Sequence, residues 1–143
     1  MKWSPLSRRN LRQVTEHNMR VTESKKESDE YKKMLNMIGI AKRAGVLLAG
    51  APSVTAEVRS PKSKARVNIV LMSNECSENT TKQITNVCDF HGVPLKIINV
   101  TMSDFGHAIG KKGSIGAAAV VKNKNLADAI LERIAIFENT VTN

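Results

Sequence analysis

The chain has 143 residues, the size of one domain, and 41% of them are hydrophobic, which is enough for a sizeable core. Its 22 Lys and Arg outweigh 13 Asp and Glu, for a formal charge of +9 that points to a polyanionic partner. One Trp, one Tyr and three Phe are too few aromatics for the sheets and barrels that read nucleic acid by stacking bases on rings.

In chain order, residues 1–29 come first, with seven basic and four acidic side chains and no sustained apolar period. They read as a basic, flexible N-terminal tail. A domain is expected over residues 30–138, with 139–143 as a short C-terminal tail. Tyr31, Leu35, Ile38 and Ala41 fall at helical spacing, Lys42 and Arg43 close that helix, and Gly45 stops it. A short apolar run, Val46 to Leu48, follows. Gly50-Ala51-Pro52-Ser53 then opens a second helix, which ends near Ser60-Pro61. Val67 to Met72 is a buried strand by its β-branched, apolar content.

The next helix starts between Ser77 and Thr81 and carries Ile84, Val87 and Cys88 on one face; Gly92 and Pro94 end it. Leu95 to Val100 reads as a strand. Thr101 to Asp104 fits a capping box, so a short helix is expected to run to about Ile109. Ala117 to Val121 is the last strand. Asn125 is expected to cap a final helix with Leu126, Ile130, Ile134 and Phe137 in one stripe. Alternating helices and strands on these spacings predict an α/β fold, a three-layer α/β/α sandwich around a four-stranded sheet.

Little in the chain resembles catalytic machinery. His17, His91 and His107 lie in three different settings, and no Ser or Cys sits in a nucleophile motif beside a base. Cys76, Cys88 and His91 lack a fourth metal ligand, and Cys88 reads as a small core residue. The expectation is a protein that is not an enzyme and takes neither cofactor nor metal. No stretch approaches the roughly 20 apolar residues of a membrane span, and the first residues lack the apolar core of a secretory signal. A cytoplasmic protein that meets no membrane is expected.

Two features suit phosphate. Gly110-Lys111-Lys112-Gly113-Ser114-Ile115-Gly116 lacks the spacing of a Walker loop. Its GxxG matches the loop of KH domains, but the residues after it read as a strand where that fold needs a helix. What remains is a loop of accessible amides with two ammonium groups. Between positions 42 and 66, Lys42, Arg43, Arg59, Lys62, Lys64 and Arg66 face Glu57 alone, a local charge of +5. These six are expected to converge on one edge of the sandwich and meet RNA phosphates.

Taken together, residues from about Met34 to Ile134 resemble the L-seven-Ae and L-thirty-e superfamily of ribosomal RNA-binding proteins, particularly its bacterial YlxQ-like branch. The resemblance rests on Ile40 to Gly50, Ile69 to Thr81, Gly92-Val93-Pro94, Phe105 to Lys111 and Ala117 to Val121. It implies a fold that binds kink-turns, in which tandem sheared G·A pairs follow a bulge. Carried over, the groove-reading turn is Gly50, Ala51, Pro52 and Ser53, with Ala56 one turn on. The loop that packs on the bulged nucleotide is Lys111 to Gly116, including Lys112 and Ser114, with Ile115 as its apolar contact. Asn74 and Glu75 line the same edge.

Kink-turn binders of this family carry Asn, Glu and Lys where this chain has Pro52, Ser53 and Ala56. Pro and Ala side chains offer no hydrogen bonds to guanine edges, and Ser53 keeps one hydroxyl. The implied partner is therefore structured RNA, kink-turn-like or ribosomal, held through phosphate and shape, with ribosomal or other ribonucleoprotein proteins as further partners. The alternative is a protein-interaction adaptor on the same fold that has lost base readout.

Overall fold

In the computed structural model, residues 29–142 are described; the expected basic tail over 1–29 lies outside them except for Asp29, which begins the first helix. Helix α1 (Asp29–Arg43) starts on Asp29 and Glu30 and ends on Lys42 and Arg43, charges that complement its dipole at both ends. Its buried stripe is Tyr31, Met34, Ile38 and Ala41. Met34 takes the inward position expected of Leu35, which is only half-buried. Strand β1 (Leu47–Ala49) follows, then α2 (Ala51–Arg59) and a four-residue helix α3 (Ser63–Arg66) that the apolar pattern does not announce.

Next come β2 (Val67–Ser73), α4 (Glu78–His91), β3 (Leu95–Ile98), α5 (Met102–Ala108), β4 (Ala117–Val121) and α6 (Lys124–Thr142). The Ser77 hydroxyl accepts from Thr80 N at the start of α4, and the Thr101 hydroxyl accepts from Asp104 N at the start of α5. Strand β3 stops at Ile98, two residues short of expectation. Beyond it Asn74 N donates to Ile98 O, and Val100 N turns back to the same oxygen. The cap of α6 is Asn123, whose side-chain oxygen accepts from Leu126 N at 2.9 Å. Asn125 is an exposed residue of the first turn, so the expected cap is misplaced by two positions. Helix α6 runs on to Thr142, so 139–142 prolong it and form no separate tail.

The sheet order is β1-β4-β2-β3, with β4 antiparallel to both its neighbours and β2 parallel to β3 across the α4 crossover. Strand β4 is buried along its whole length, which explains its lack of any polar residue. Its alternation divides the core. Ala118 and Val120 join Ile69 and Leu71 under α1, α5 and α6, whereas Ala117, Ala119 and Val121 join Val70 and Met72 under α2 and α4. The result is the expected three-layer sandwich. Val67 faces the same layer as Val70 because the pairing with β4 is irregular between Val67 and Ile69.

Since β1, β2 and β3 run the same way and β4 against them, the loops fall into two groups. The Gly50 turn, Asn74 to Ser77, Asn99 to Thr101 and Gly110 to Gly116 all lie at one end of the sheet. The connections into β1, β2 and β3, and that from β4 into α6, lie at the other.

Candidate functional site

The first end is built by backbone. Gly50 adopts φ +99°, a conformation that side chains disfavour, and its amide donates to Ala117 O at 2.8 Å. That bond sets the first turn of α2 beside the start of β4. Ser73 N donates to Gly116 O at 2.8 Å, and the Ser73 hydroxyl donates to Val100 O at 2.6 Å. Ile115 N donates to Met102 O at 3.1 Å, while the Glu75 carboxylate accepts from Met102 N at 2.9 Å. Three of the expected groups, Gly50 to Ser53, Asn74 with Glu75, and Lys111 to Gly116, therefore meet at one end.

Close packing fixes the loop over α5. A side chain at Gly106 would run into the Gly113 carbonyl, and a Cβ at Gly116 would come within 2.7 Å of the Cys76 sulfur. The Cys76 thiol donates to Gly116 O at 3.3 Å, and burial pushes its pKa above the ordinary thiol value. These contacts carry no sequence motif; only the glycines and their spacing hint at them.

Within the loop, Lys111, Lys112, Gly113 and Ser114 are exposed, but Ile115 is only 4% exposed and belongs to the core beneath α1, α5 and α6. The expected apolar contact at Ile115 is thus corrected. Its side chain is committed to folding, and Gly116 is buried as well. Pro52, Ser53 and Ala56 are exposed on α2, and Ala51 is half-buried. Gly50 supplies no capping oxygen, unlike Ser77 and Thr101 at the neighbouring helices. Pro52 has no N–H to satisfy, so the amides of Ala51 and Ser53 remain for an outside acceptor.

The six cations do not share this end. Arg59 closes α2, Lys62 precedes α3, Lys64 lies within it, and Arg66 ends it directly before β2. Strand β2 has seven residues, which at about 3.3 Å each separates Arg66 from Asn74 by more than about 20 Å. Lys42 and Arg43 lead into β1 at that opposite end, where Val121 N donates to Val46 O. Arg66 is also matched by Glu57 at 3.3 Å. The expected convergence of all six on the groove-reading edge is therefore corrected, because a strand separates what the sequence sets side by side.

Cys88 is buried between α2 and α4, as a small core residue, and burial raises its thiol to about 11. Among the described residues, no group of three or more His, Cys, Asp or Glu could hold a metal ion, and no helix is long and apolar enough to cross a membrane.

Residues 32–130 match the profile of the Ribosomal protein L7Ae/L30e/S12e/Gadd45 family. The chain belongs to that family. Among its relatives is the RNA-binding protein YlxQ of Bacillus subtilis (strain 168), 32% identical over 82 residues that cover 57% of this chain and 77% of the relative. The RNA-binding protein YlxQ of Enterococcus faecium is 39% identical over 62 residues, 43% of this chain and 56% of the relative.

Solved structures superpose on the sandwich. A protein of unknown function from Bacillus halodurans C matches with a TM-score of 0.62 and 26% identity, over 72% of this chain and 97% of its own. A Giardia lamblia 15.5kD RNA binding protein matches with a TM-score of 0.57 over 78% of this chain and 90% of its own, and at 16% identity it speaks to the fold alone. The likeness to the L7Ae/L30e family and its YlxQ-like branch, expected from the motifs, agrees with the family profile and with the two YlxQ relatives.

Proposed function

We propose that this protein is a non-catalytic RNA-binding module that grips kinked or otherwise structured RNA, ribosomal or from another ribonucleoprotein, in the cytoplasm. The observation that carries the reading is the uncapped first turn of α2, Ala51 to Ser53, next to the exposed Lys111–Ser114 loop. Free amides, one hydroxyl and two ammonium groups on one rim suit phosphate oxygens and groove edges. The relatives' names give the same partner class. Asn74 and Glu75 border this rim, and Lys42, Arg43, Arg59, Lys62, Lys64 and Arg66 add attraction from the far end. The basic residues before position 29 supply more cations to the same partner.

The direct test is a binding titration against a short kink-turn RNA and a copy with its G·A pairs replaced, each over a range of salt. Salt-steep binding to either RNA supports the reading, and loss of binding with the G·A pairs assigns true kink-turn recognition. Failure to bind either at low salt overturns it and leaves the adaptor. That second reading draws on Pro52 and Ala56, which put no hydrogen-bonding side chain where base readout needs one.

A further inference from the structure

The last turn of α4 leaves Phe90 with 85% of its surface in solvent, against 45% and 42% for Ile97 and Ile40, the other exposed large apolar residues described. The inward face of α4 is complete without it, since Ile84 and Cys88 fill the core. The ring therefore gives little to folding. The His91 ring stands beside it in a T-shaped pair, with centroids 5.0 Å apart and planes at 80°.

Cations gather at the same end of the sheet. Gly92, two residues on, leaves space over which the Lys64 stem lies, with Nζ 3.9 Å from where a Cβ would be. Lys62 and Arg59 are on the connection that leads to Lys64, and Lys122 N donates to Arg66 O at 3.0 Å, which brings Lys122 to this end too. None of these four has a carboxylate partner among the described residues, whereas neighbouring Arg66 is held by Glu57. The carboxyl ends of α2 and α4 draw about half a charge each, and Asp89 supplies one acid. Four cations exceed that demand, so the end remains positive.

We propose that this end of the sheet is a second RNA contact, where Phe90 stacks on an unpaired base while Lys62, Lys64 and Arg59 hold the phosphates beside it. The occupant is a single-stranded segment flanking the structured RNA, an assignment that rests on the RNA reading above. Stacking on a single exposed ring tolerates any base. The site therefore adds affinity for a flanking strand without choosing its sequence, and it lies about one strand length from the Lys111–Ser114 rim.

The test uses the full chain and three labelled RNAs: a blunt kinked duplex, the same duplex with a single-stranded oligouridine tail of roughly eight nucleotides, and that oligouridine alone. The tail is expected to tighten binding on the order of tenfold in the wild type. That gain disappears in Phe90→Ala and returns in Phe90→Tyr, with the blunt duplex unaffected by either. Replacing Lys62 and Lys64 together with Gln lowers the salt slope for the tailed RNA by about 1.4.

If the tailed duplex gains nothing, or gains equally in Phe90→Ala, the inference fails while the duplex reading stands. If only the oligouridine binds, and through Phe90, the inference stands and the kinked-duplex reading fails. If no RNA binds, both fail. Self-association of the free protein that Phe90→Ala abolishes, without any effect of the tail, assigns the ring to a second copy of the chain and overturns the proposal.

Discussion

The Cys76 sulfur lies against Gly116, donating to its carbonyl at 3.3 Å and standing only 2.7 Å from the position a Cβ would take there. This contact locks the end of β2 to the loop that enters β4. Because Gly116 O also receives the Ser73 amide, a shift at position 116 pulls on two segments at once.

Gly116→Ala is therefore expected to destabilise the fold by about 1–3 kcal/mol, the usual range for forcing a methyl group into a packed site. The urea midpoint of unfolding measures it. Cys76→Ala removes the clashing sulfur, so the double variant should lose less than the sum of the single losses. Strict additivity would show that the sulfur is not what excludes the side chain.

Capping of the last helix separates two asparagines that look alike in the sequence. Asn123 accepts from Leu126 N, and its own amide donates to the Asn68 side chain at 2.8 Å, tying the helix start to the beginning of β2. Asn123→Ala should cost about 1 kcal/mol, while Asn125→Ala, at an exposed position, should stay within about 0.5 kcal/mol. Thermal unfolding of the two variants decides between the residues.

Much of the fold is legible in the sequence for reasons that can be named. Gly45, Gly92 and Pro94 mark element ends, Ser77 and Thr101 mark helix starts, and the apolar blocks at 67–72 and 117–121 admit no solvated face. The four-residue α3 has no apolar period to reveal it, being one turn bounded by Pro61 and a strand. Ile115 misleads because it stands in a Gly- and Lys-rich loop. The one apolar side chain there turns inward to the core, while its amide donates to Met102 O. The placement of the six cations at the end opposite the groove-reading turn is legible in the sequence. Arg66 precedes β2 and Asn74 follows it, and a strand puts its two flanks at opposite ends of a sheet. The exposure of Phe90 could not be read, because helical spacing alone does not say how wide the buried stripe of α4 is.

The buried thiol of Cys88 gives a pH signature. Burial raises it to about 11 in the folded chain from an ordinary 9.0, so the folded state prefers the protonated form. This contribution is fully present below pH 9 and is lost as pH rises from about 9 to 11, amounting to about 2–3 kcal/mol at the upper end. Denaturant titrations across that window should show a shallower fall in Cys88→Val, which keeps the volume and removes the ionisation. An identical slope in the variant would assign the alkaline loss to other groups.

The first turn of α2 can be asked directly whether it enters an RNA groove. Pro52, Ser53 and Ala56 are all exposed, so Pro52→Asn, Ser53→Glu and Ala56→Lys together should leave the fold intact. Each hydrogen-bonded base contact contributes about 1–3 kcal/mol of discrimination. The triple variant is therefore expected to favour the kink-turn RNA over its G·A-replaced copy at least tenfold more than the wild type does. The restored Asn and Glu supply the guanine contacts, while the exposed Lys111–Ser114 loop continues to hold the backbone. A variant that folds and binds RNA but shows no gain in preference places this turn outside the groove. The RNA would then lie along the loop and the basic far end, and the substitutions at 52, 53 and 56 would be a consequence of that different seat.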